Sequence, residues 1–264
     1  MLKLIGIPYD ANSSFMTGSA LASAKIREMD TCGSANRFCE NGKEIVPGEN
    51  YFDLGDLKFH SGDSQTVYEK IKQTIQNELK NSAKIISIGG DHSISFPVIE
   101  AFTECYKELN VLHIDAHSDL YEDFENNPYS HASPFARLME QGRVESLTQV
   151  GIRCQTTHLN EQADRYKVNI IEMKDFNFDF INTLKAPLYI SLDMDALDPA
   201  FAPGVSHHEP GGMSTRQLIT MIQSISVDIV GADIVELNPA RDVNNMTAMV
   251  AYKLFKELAS KMIN

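Results

Sequence analysis

The sequence predicts a single-domain, three-layer α/β/α fold with a central, mostly parallel sheet, and three observations carry that expectation. Short apolar, β-branched runs recur at Leu2–Ile7, Lys84–Ile88, Val111–Asp115, Leu147–Ile152, Val168–Ile171, Leu188–Asp193 and Ile229–Leu237. Several are apolar on both faces, as strands buried inside a parallel sheet are. Between them lie segments with helical spacing. In Thr66–Lys80, Val67, Ile71, Ile75 and Leu79 stand four residues apart; Phe96–Leu109 and Ser214–Ile225 read similarly, and Met246–Met262 forms a closing helix. Strand and helix thus alternate, the pattern of βαβ units whose helices cover both sheet faces. No repeat, low-complexity tract or Pro/Gly/Ser-rich linker interrupts residues 1–264, so one domain is expected.

Two stretches lack either periodicity and are expected to be loops bordering a site, because each follows a strand end. They are Glu122–Ser130 and Pro199–Gly212. The net charge of −13 leaves no strongly basic face for a phosphate backbone, which argues against nucleic-acid binding and mildly favours cationic ligands. Cys32, Cys39, Cys105 and Cys154 form no C-x-x-C pair, the start is not signal-like, and no apolar stretch approaches the roughly 20 residues of a membrane span. A soluble, cytoplasmic protein without membrane contact is expected.

Three segments place carboxylates and imidazoles just after buried strands: Gly89-Gly90-Asp91-His92-Ser93, Asp115-Ala116-His117-Ser118-Asp119 and Asp193-Met194-Asp195-Ala196-Leu197-Asp198-Pro199. In extended backbone, side chains at i, i+2 and i+4 share a side, so Asp115, His117 and Asp119 are expected to converge, as are Asp193 and Asp195. With His92 the set offers two imidazoles and four carboxylates. Like charges so close repel unless cations neutralise them, and two divalent ions balance four carboxylates. Oxygen and imidazole donors without thiolate suit Mn²⁺, with Mg²⁺, Zn²⁺, Fe²⁺ or Co²⁺ as alternatives. The implied chemistry is metal-assisted hydrolysis.

Competing readings are weaker. An EF-hand loop from Asp115 has Leu120 where glycine is needed and Asn126 where the closing glutamate belongs. An aspartyl-phosphate signature at Asp193 has Leu197 in place of its usual Thr or Val. Gly89-Gly90 also reads as a strand-to-helix turn capped by Asp91 or Ser93, His113 as a hydrogen-bonded core histidine, and His60 as a surface residue.

Together the three segments resemble the signatures of the ureohydrolase family, which includes arginases, agmatinases, formimidoylglutamases and guanidinobutyrases. The likeness extends to Gly6–Asp10, Lys25–Arg27, Gly151–Arg153 and Val235–Asp242. It implies an eight-stranded parallel sheet, assembly as a homo-oligomer (trimer or hexamer), and two Mn²⁺ ions per subunit. Carried over by residue, it implies one metal on His92, Asp115, Asp119 and Asp193 and another on Asp115, His117, Asp193 and Asp195, with Asp115 and Asp193 bridging. Asp119 would also orient the attacking water. His131, in His131-Ala132-Ser133-Pro134-Phe135, would carry a proton to the leaving amine, and Glu236 would grip the guanidinium of the substrate.

The expected activity is hydrolysis of a small cationic guanidino compound to urea and an amine. Two departures bear on which compound. Tyr121 stands where arginases commonly have an asparagine that helps hold the amino acid's carboxylate, and Val205-Ser206-His207-His208 replaces a threonine-rich run. Agmatine, yielding putrescine, is therefore favoured over formimidoylglutamate, guanidinobutyrate and arginine, and the roles of Tyr121, Ser206, His207 and His208 stay open. Single-zinc deacetylase chemistry and a catalytically silent binding or regulatory role are the remaining alternatives, against which retention of all six ligands argues.

Overall fold

A computed structural model of the chain describes residues 1–59 and 63–263, so that His60 lies outside the described residues. Its strands are β1 (Leu2–Ile7), β2 (Tyr51–Asp56), β3 (Lys84–Gly89), β4 (Leu109–Ile114), β5 (Val144–Ile152), β6 (Asn169–Glu172), β7 (Leu188–Asp193) and β8 (Ile229–Val235). They form one eight-stranded sheet in the order β2-β1-β3-β8-β7-β4-β5-β6, with every neighbouring pair parallel. The helices are α1 (Ala22–Thr31), α2 (Ser64–Leu79), α3 (Ser95–Cys105), α4 (Pro134–Glu140), α5 (Thr157–Tyr166), α6 (Thr215–Ser224) and α7 (Met246–Met262).

Alternation along the strands divides the core into two layers. Ile86 and Ile88 of β3, Leu112 and Ile114 of β4, and Leu188, Ile190 and Leu192 of β7 pack with α1, α6 and α7. Ile85, Val111 and Tyr189, one residue out of phase, face α2, α3, α4 and α5. Because both faces are covered, the central strands are apolar throughout, and the expected three-layer, single-sheet architecture is the one observed.

Local chemistry sets the helix ends. The Asp63 carboxylate accepts from the Thr66 N–H at 2.9 Å and starts α2, whose Val67, Ile71, Ile75 and Leu79 are all buried. Ser214 and Gln217 form a reciprocal capping box at α6. Ser214→Ala is expected to cost about 1 kcal/mol, read as a shift of the denaturant midpoint at unchanged slope.

The structure moves several boundaries, β5 for one beginning at Val144 rather than Leu147, and adds three elements. Leu109, read as the end of a helix, opens β4 opposite Val144, because α3 stops at Cys105 and Tyr106 is already extended. The last strand ends at Val235 rather than Leu237. Strand β2 and helices α4 and α5 carried no expectation of their own.

Candidate metal centre and substrate cleft

The sheet order explains how residues far apart in sequence meet. Strands β3, β8, β7 and β4 are successive neighbours, and parallel pairing brings their carboxyl ends to one edge. His92 follows β3, Asp115–Asp119 follow β4, Asp193 ends β7, and Glu236 follows β8. The crevice beyond these ends is where ligands bind in open α/β sheets.

All six expected ligands converge there, though not by strand alternation. Chain direction changes at once after β4 and β7: Asp115–His117 is a bend, Asp119 has φ 49°, and Met194–Ala196 is a single 3₁₀ turn. Each segment's leading carboxylate closes its own turn. Asp115 Oδ1 accepts from the His117 N–H at 2.6 Å, and Asp193 Oδ1 from the Asp195 N–H at 2.7 Å. Short aspartate side chains favour such local turns over continued strand. Gly90 makes the third segment possible, since a Cβ there would lie 1.7 Å from the Tyr9 carbonyl oxygen.

The His92 Nδ1 lies 3.1 Å from Asp115 Oδ2, 3.2 Å from Asp119 Oδ2 and 3.1 Å from Asp193 Oδ2. Buried as it is, it makes no hydrogen bond to any of them. Four ligand-type atoms thus point at one small space. Bonds of about 2.1 Å at right angles put neighbouring ligand atoms about 3 Å apart, so this spacing fits a metal ion's coordination shell. The second cluster has His117 Nδ1 3.0 Å from Asp195 Oδ2 and 3.4 Å from Asp115 Oδ1. Ligand atoms of His92, His113, Asp115 and Asp119 fall within 4.8 Å of one another, as do those of Asp115, His117 and Asp195, so Asp115 belongs to both clusters.

The electrostatics also call for cations. Burial, together with the neighbouring Asp195 and Asp115 charges, pushes the Asp193 carboxyl well above its usual range, and burial and Asp115 raise Asp195 to about 6. Burial disfavours charge on the imidazoles of His92 and His117, yet the surrounding carboxylates raise both far above the usual histidine value. Carboxylates buried this close together favour positive charge among them, which divalent ions would supply.

His113 is the hydrogen-bonded core residue expected: Nε2 meets Asp115 Oδ2 at 2.7 Å, and Nδ1 meets Gln149 Nε2 at 2.9 Å. A chain not foreseen from sequence supports His92. Its Nε2 lies 2.9 Å from Ser191 Oγ, which donates to Asp233 Oδ1 at 2.7 Å, while Tyr189 donates to Asp233 Oδ2 at 2.7 Å. With Nε2 so engaged, the Nδ1 lone pair is free for a ligand. Asp233→Asn is expected to weaken metal affinity by about 10- to 100-fold with little change in folded structure, measured by metal titration of the chelated protein. Arg153 is a second unforeseen buttress, donating to the backbone oxygens of Asp195 and Glu209 at 2.7 and 2.6 Å.

Beside the cluster, Glu236 adopts φ 63°, a left-handed conformation that costs a glutamate on the order of 1–3 kcal/mol. Its Oε1 accepts from the His92 N–H at 2.9 Å and lies 2.8 Å from His131 Nδ1. Among the described residues Oε2 has no hydrogen-bond partner. Burial disfavours the Glu236 carboxylate, but His131 holds its pKa below the usual range; burial likewise opposes charge on His131, which Glu236 raises to about 9. Both line a cleft of about 230 Å³ with His117, Asp119, Asp193, Asp195 and the outer wall residues Tyr121, Phe124 and Leu159.

The open positions now divide. Tyr121 lines the cleft and stacks on His158 at 5.6 Å, and His207 lines it between His117 and His131. Ser206 is turned away, donating to the Met16 carbonyl oxygen at 3.1 Å. His208 is exposed, 2.7 Å from the Pro203 carbonyl oxygen.

This arrangement has close counterparts. The arginase family model matches residues 2–260. The chain is 44% identical over 275 residues to mitochondrial arginase 1 of Arabidopsis thaliana, spanning 98% of this chain and 80% of that protein. It is 30% identical over 267 residues to an agmatinase of Bacillus cereus, spanning 97% and 89%. The structure of an arginase from Medicago truncatula superposes with a TM-score of 0.93 at 42% identity, covering 99% of this chain and 87% of that one. A single parallel α/β sheet, a buried histidine–aspartate cluster at its carboxyl edge and these relationships together make the chain a member of the arginase family, hydrolases of C–N bonds in linear amidines.

Proposed function

We propose that the chain hydrolyses the guanidinium group of arginine to urea and an amine, using two divalent ions, Mn²⁺ foremost. The observation that carries this reading is the shared carboxylate of Asp115, common to two ligand clusters, next to a carboxylate with one oxygen free to grip a guanidinium. One ion would be held by His92, Asp115, Asp119 and Asp193, the other by Asp115, His117, Asp193 and Asp195. When bound, the ions supply Lewis-acid polarisation and a water acidic enough to attack near neutral pH.

The chain's own residues do the rest. Glu236 Oε2 pairs with the planar guanidinium and sets its carbon over the cluster. Asp119, at the cleft floor, accepts a hydrogen bond from the attacking water and orients it. His131 carries a proton to the nitrogen that leaves. With the cluster carboxylates balanced by the ions, the Glu236 carboxylate favours cationic substrate over the neutral urea formed from it.

Arginine is supported by the higher identity to the plant arginases, 44% and 42%, than to the Bacillus cereus agmatinase, 30%. Agmatine is the second reading. It is favoured by the wall where Tyr121, Phe124 and Leu159 lie, since among the described residues no lysine or arginine lines the cleft to hold a carboxylate. After Mn²⁺ loading, urea, formamide and free amine are followed with arginine, agmatine, guanidinobutyrate and formimidoylglutamate. The first reading expects kcat/KM for arginine to exceed that for agmatine by about 100-fold or more, the worth of two well-placed polar contacts; the reverse ratio would select agmatine. Two bound metals without product from any compound would favour a silent binding role. A trimeric or hexameric state and a cytoplasmic location complete the proposal, read by light scattering and by cell fractionation.

A further inference from the structure

The proposed reaction requires His131 to deliver a proton, yet both nitrogens of its ring are held by protein. Nδ1 faces Glu236 Oε1 at 2.8 Å, and Nε2 faces Ser14 Oγ at 2.8 Å. The Ser14 backbone N–H also donates to Nε2, at 3.2 Å, and a backbone N–H can only donate. The Ser14 N–H therefore favours the neutral ring, with its proton on Nδ1 and its lone pair on Nε2, while the Glu236 charge, which raises the His131 pKa to about 9, favours the imidazolium, so the ring stands between the two states. Ser14 itself is exposed and lines the cleft.

We infer that the Ser14 hydroxyl is the route by which the His131 proton reaches the substrate, which makes Ser14 a catalytic residue. This inference rests on His131 as the proton carrier. A hydroxyl donates and accepts at once, so Oγ fits both states of the ring. When the ring is neutral, the hydroxyl donates to Nε2. When Nε2 is protonated the Ser14 N–H loses its acceptor and the Oγ contact inverts, Nε2–H donating to Oγ and the hydroxyl hydrogen turning to the cleft. In the transfer the C–N bond breaks and its electron pair stays on the leaving nitrogen. That nitrogen takes the hydroxyl proton while Oγ takes the proton of Nε2, leaving the serine unchanged and the ring neutral. The balance closes because the attacking water releases one proton for each one the amine takes.

The loop carrying Ser14 is built into the site rather than lying over it. The Asn12 N–H and the Ser13 hydroxyl donate to Asp91 Oδ2 at 3.0 and 3.3 Å, and the Asn12 carbonyl oxygen accepts from the His131 N–H at 3.2 Å. Phe15, on the other side of Ser14, packs against His207 with ring centroids 5.5 Å apart. The Asn12–Ser13 flank is therefore anchored, and the distance from Ser14 to His131 is fixed by more than its own bond.

The test compares Ser14→Ala, Ser14→Thr and His131→Asn on arginine and on its oxyguanidino analogue, whose leaving nitrogen is bonded to oxygen, is weakly basic and needs less help from an acid. Ser14→Ala is expected to lower kcat on arginine by about 10- to 100-fold, with KM within about threefold and with metal content and thermal midpoint unchanged. Ser14→Thr, which keeps the hydroxyl, should recover to within about threefold, and on the analogue the alanine variant's loss should shrink to about threefold or less. A Ser14→Ala enzyme that keeps its kcat on arginine, or that loses equally on both substrates, would overturn the relay. His131→Asn separates the two layers of the argument. If it is inactive while Ser14→Ala is fully active, the relay alone fails; if it is fully active, the reading of His131 fails and takes the relay with it.

Discussion

Asp195→Ala is expected to lower product release by at least about 10³-fold, the equivalent of about 4 kcal/mol of transition-state stabilisation, and to leave fewer than two metal ions per chain. Asp195 is buried, faces His117 at 3.0 Å and accepts from the Ala116 N–H at 3.2 Å. It therefore both completes the second ligand cluster and ties the turn after β7 to the turn after β4. Asp195→Asn retains an acceptor for Ala116, so it should preserve the fold while still losing the ion. Metal analysis and turnover on the same samples separate loss of the ion from loss of the structure.

Glu236→Gln is expected to lower kcat/KM by about 10²-fold while both metal ions stay bound, because a charge-assisted pair is worth about 1.5–3 kcal/mol. Oε1 of Glu236 serves the His92 N–H and His131, and the isosteric amide can still offer one oxygen to them. What it cannot supply is the second negative oxygen for a guanidinium. The same substitution removes the charge that raises the His131 pKa to about 9. The imidazolium would then give up its proton at lower pH, and any limb of the pH–rate profile that belongs to His131 should move downward.

Much of this was legible in the sequence because it rests on residue type and strand pattern. Buried parallel strands are apolar on both faces, so β3, β4, β7 and β8 stand out, and the acidic and imidazole residues immediately after them are conspicuous. Strand β2 is not conspicuous: as Tyr-Phe-Asp-Leu-Gly-Asp at the sheet edge, it buries only Tyr51 and has neither signature. Helix α4 is seven residues long behind Pro134, and in α5 only Leu159, Gln162 and Ala163 are buried.

Within the site, which side chains gather could be read, but the backbone path that gathers them could not. Alternation along an extended strand grouped Asp115, His117 and Asp119, and Asp193 with Asp195, whereas in the structure turns closed by Asp115 and Asp193 bring them together. Left-handed conformations at Asp119 and Glu236 leave no mark in residue type. Supporting residues were missed because their partners are distant: Asp233 acts on His92 through Ser191, and Ser14 meets His131 across 117 positions. Asn12-Ser13-Ser14 is a polar loop in sequence, and only the folded chain brings it against Asp91 and His131.

A two-ion centre is tested most directly by metal stoichiometry. Titrating Mn²⁺ into chelated protein, with bound metal counted after desalting, should give two ions per chain for the wild type, and product release should rise as the sites fill. Full hydrolytic activity with no metal bound, or two ions still bound tightly after His92, Asp115 and Asp195 have each been replaced by alanine, would contradict it.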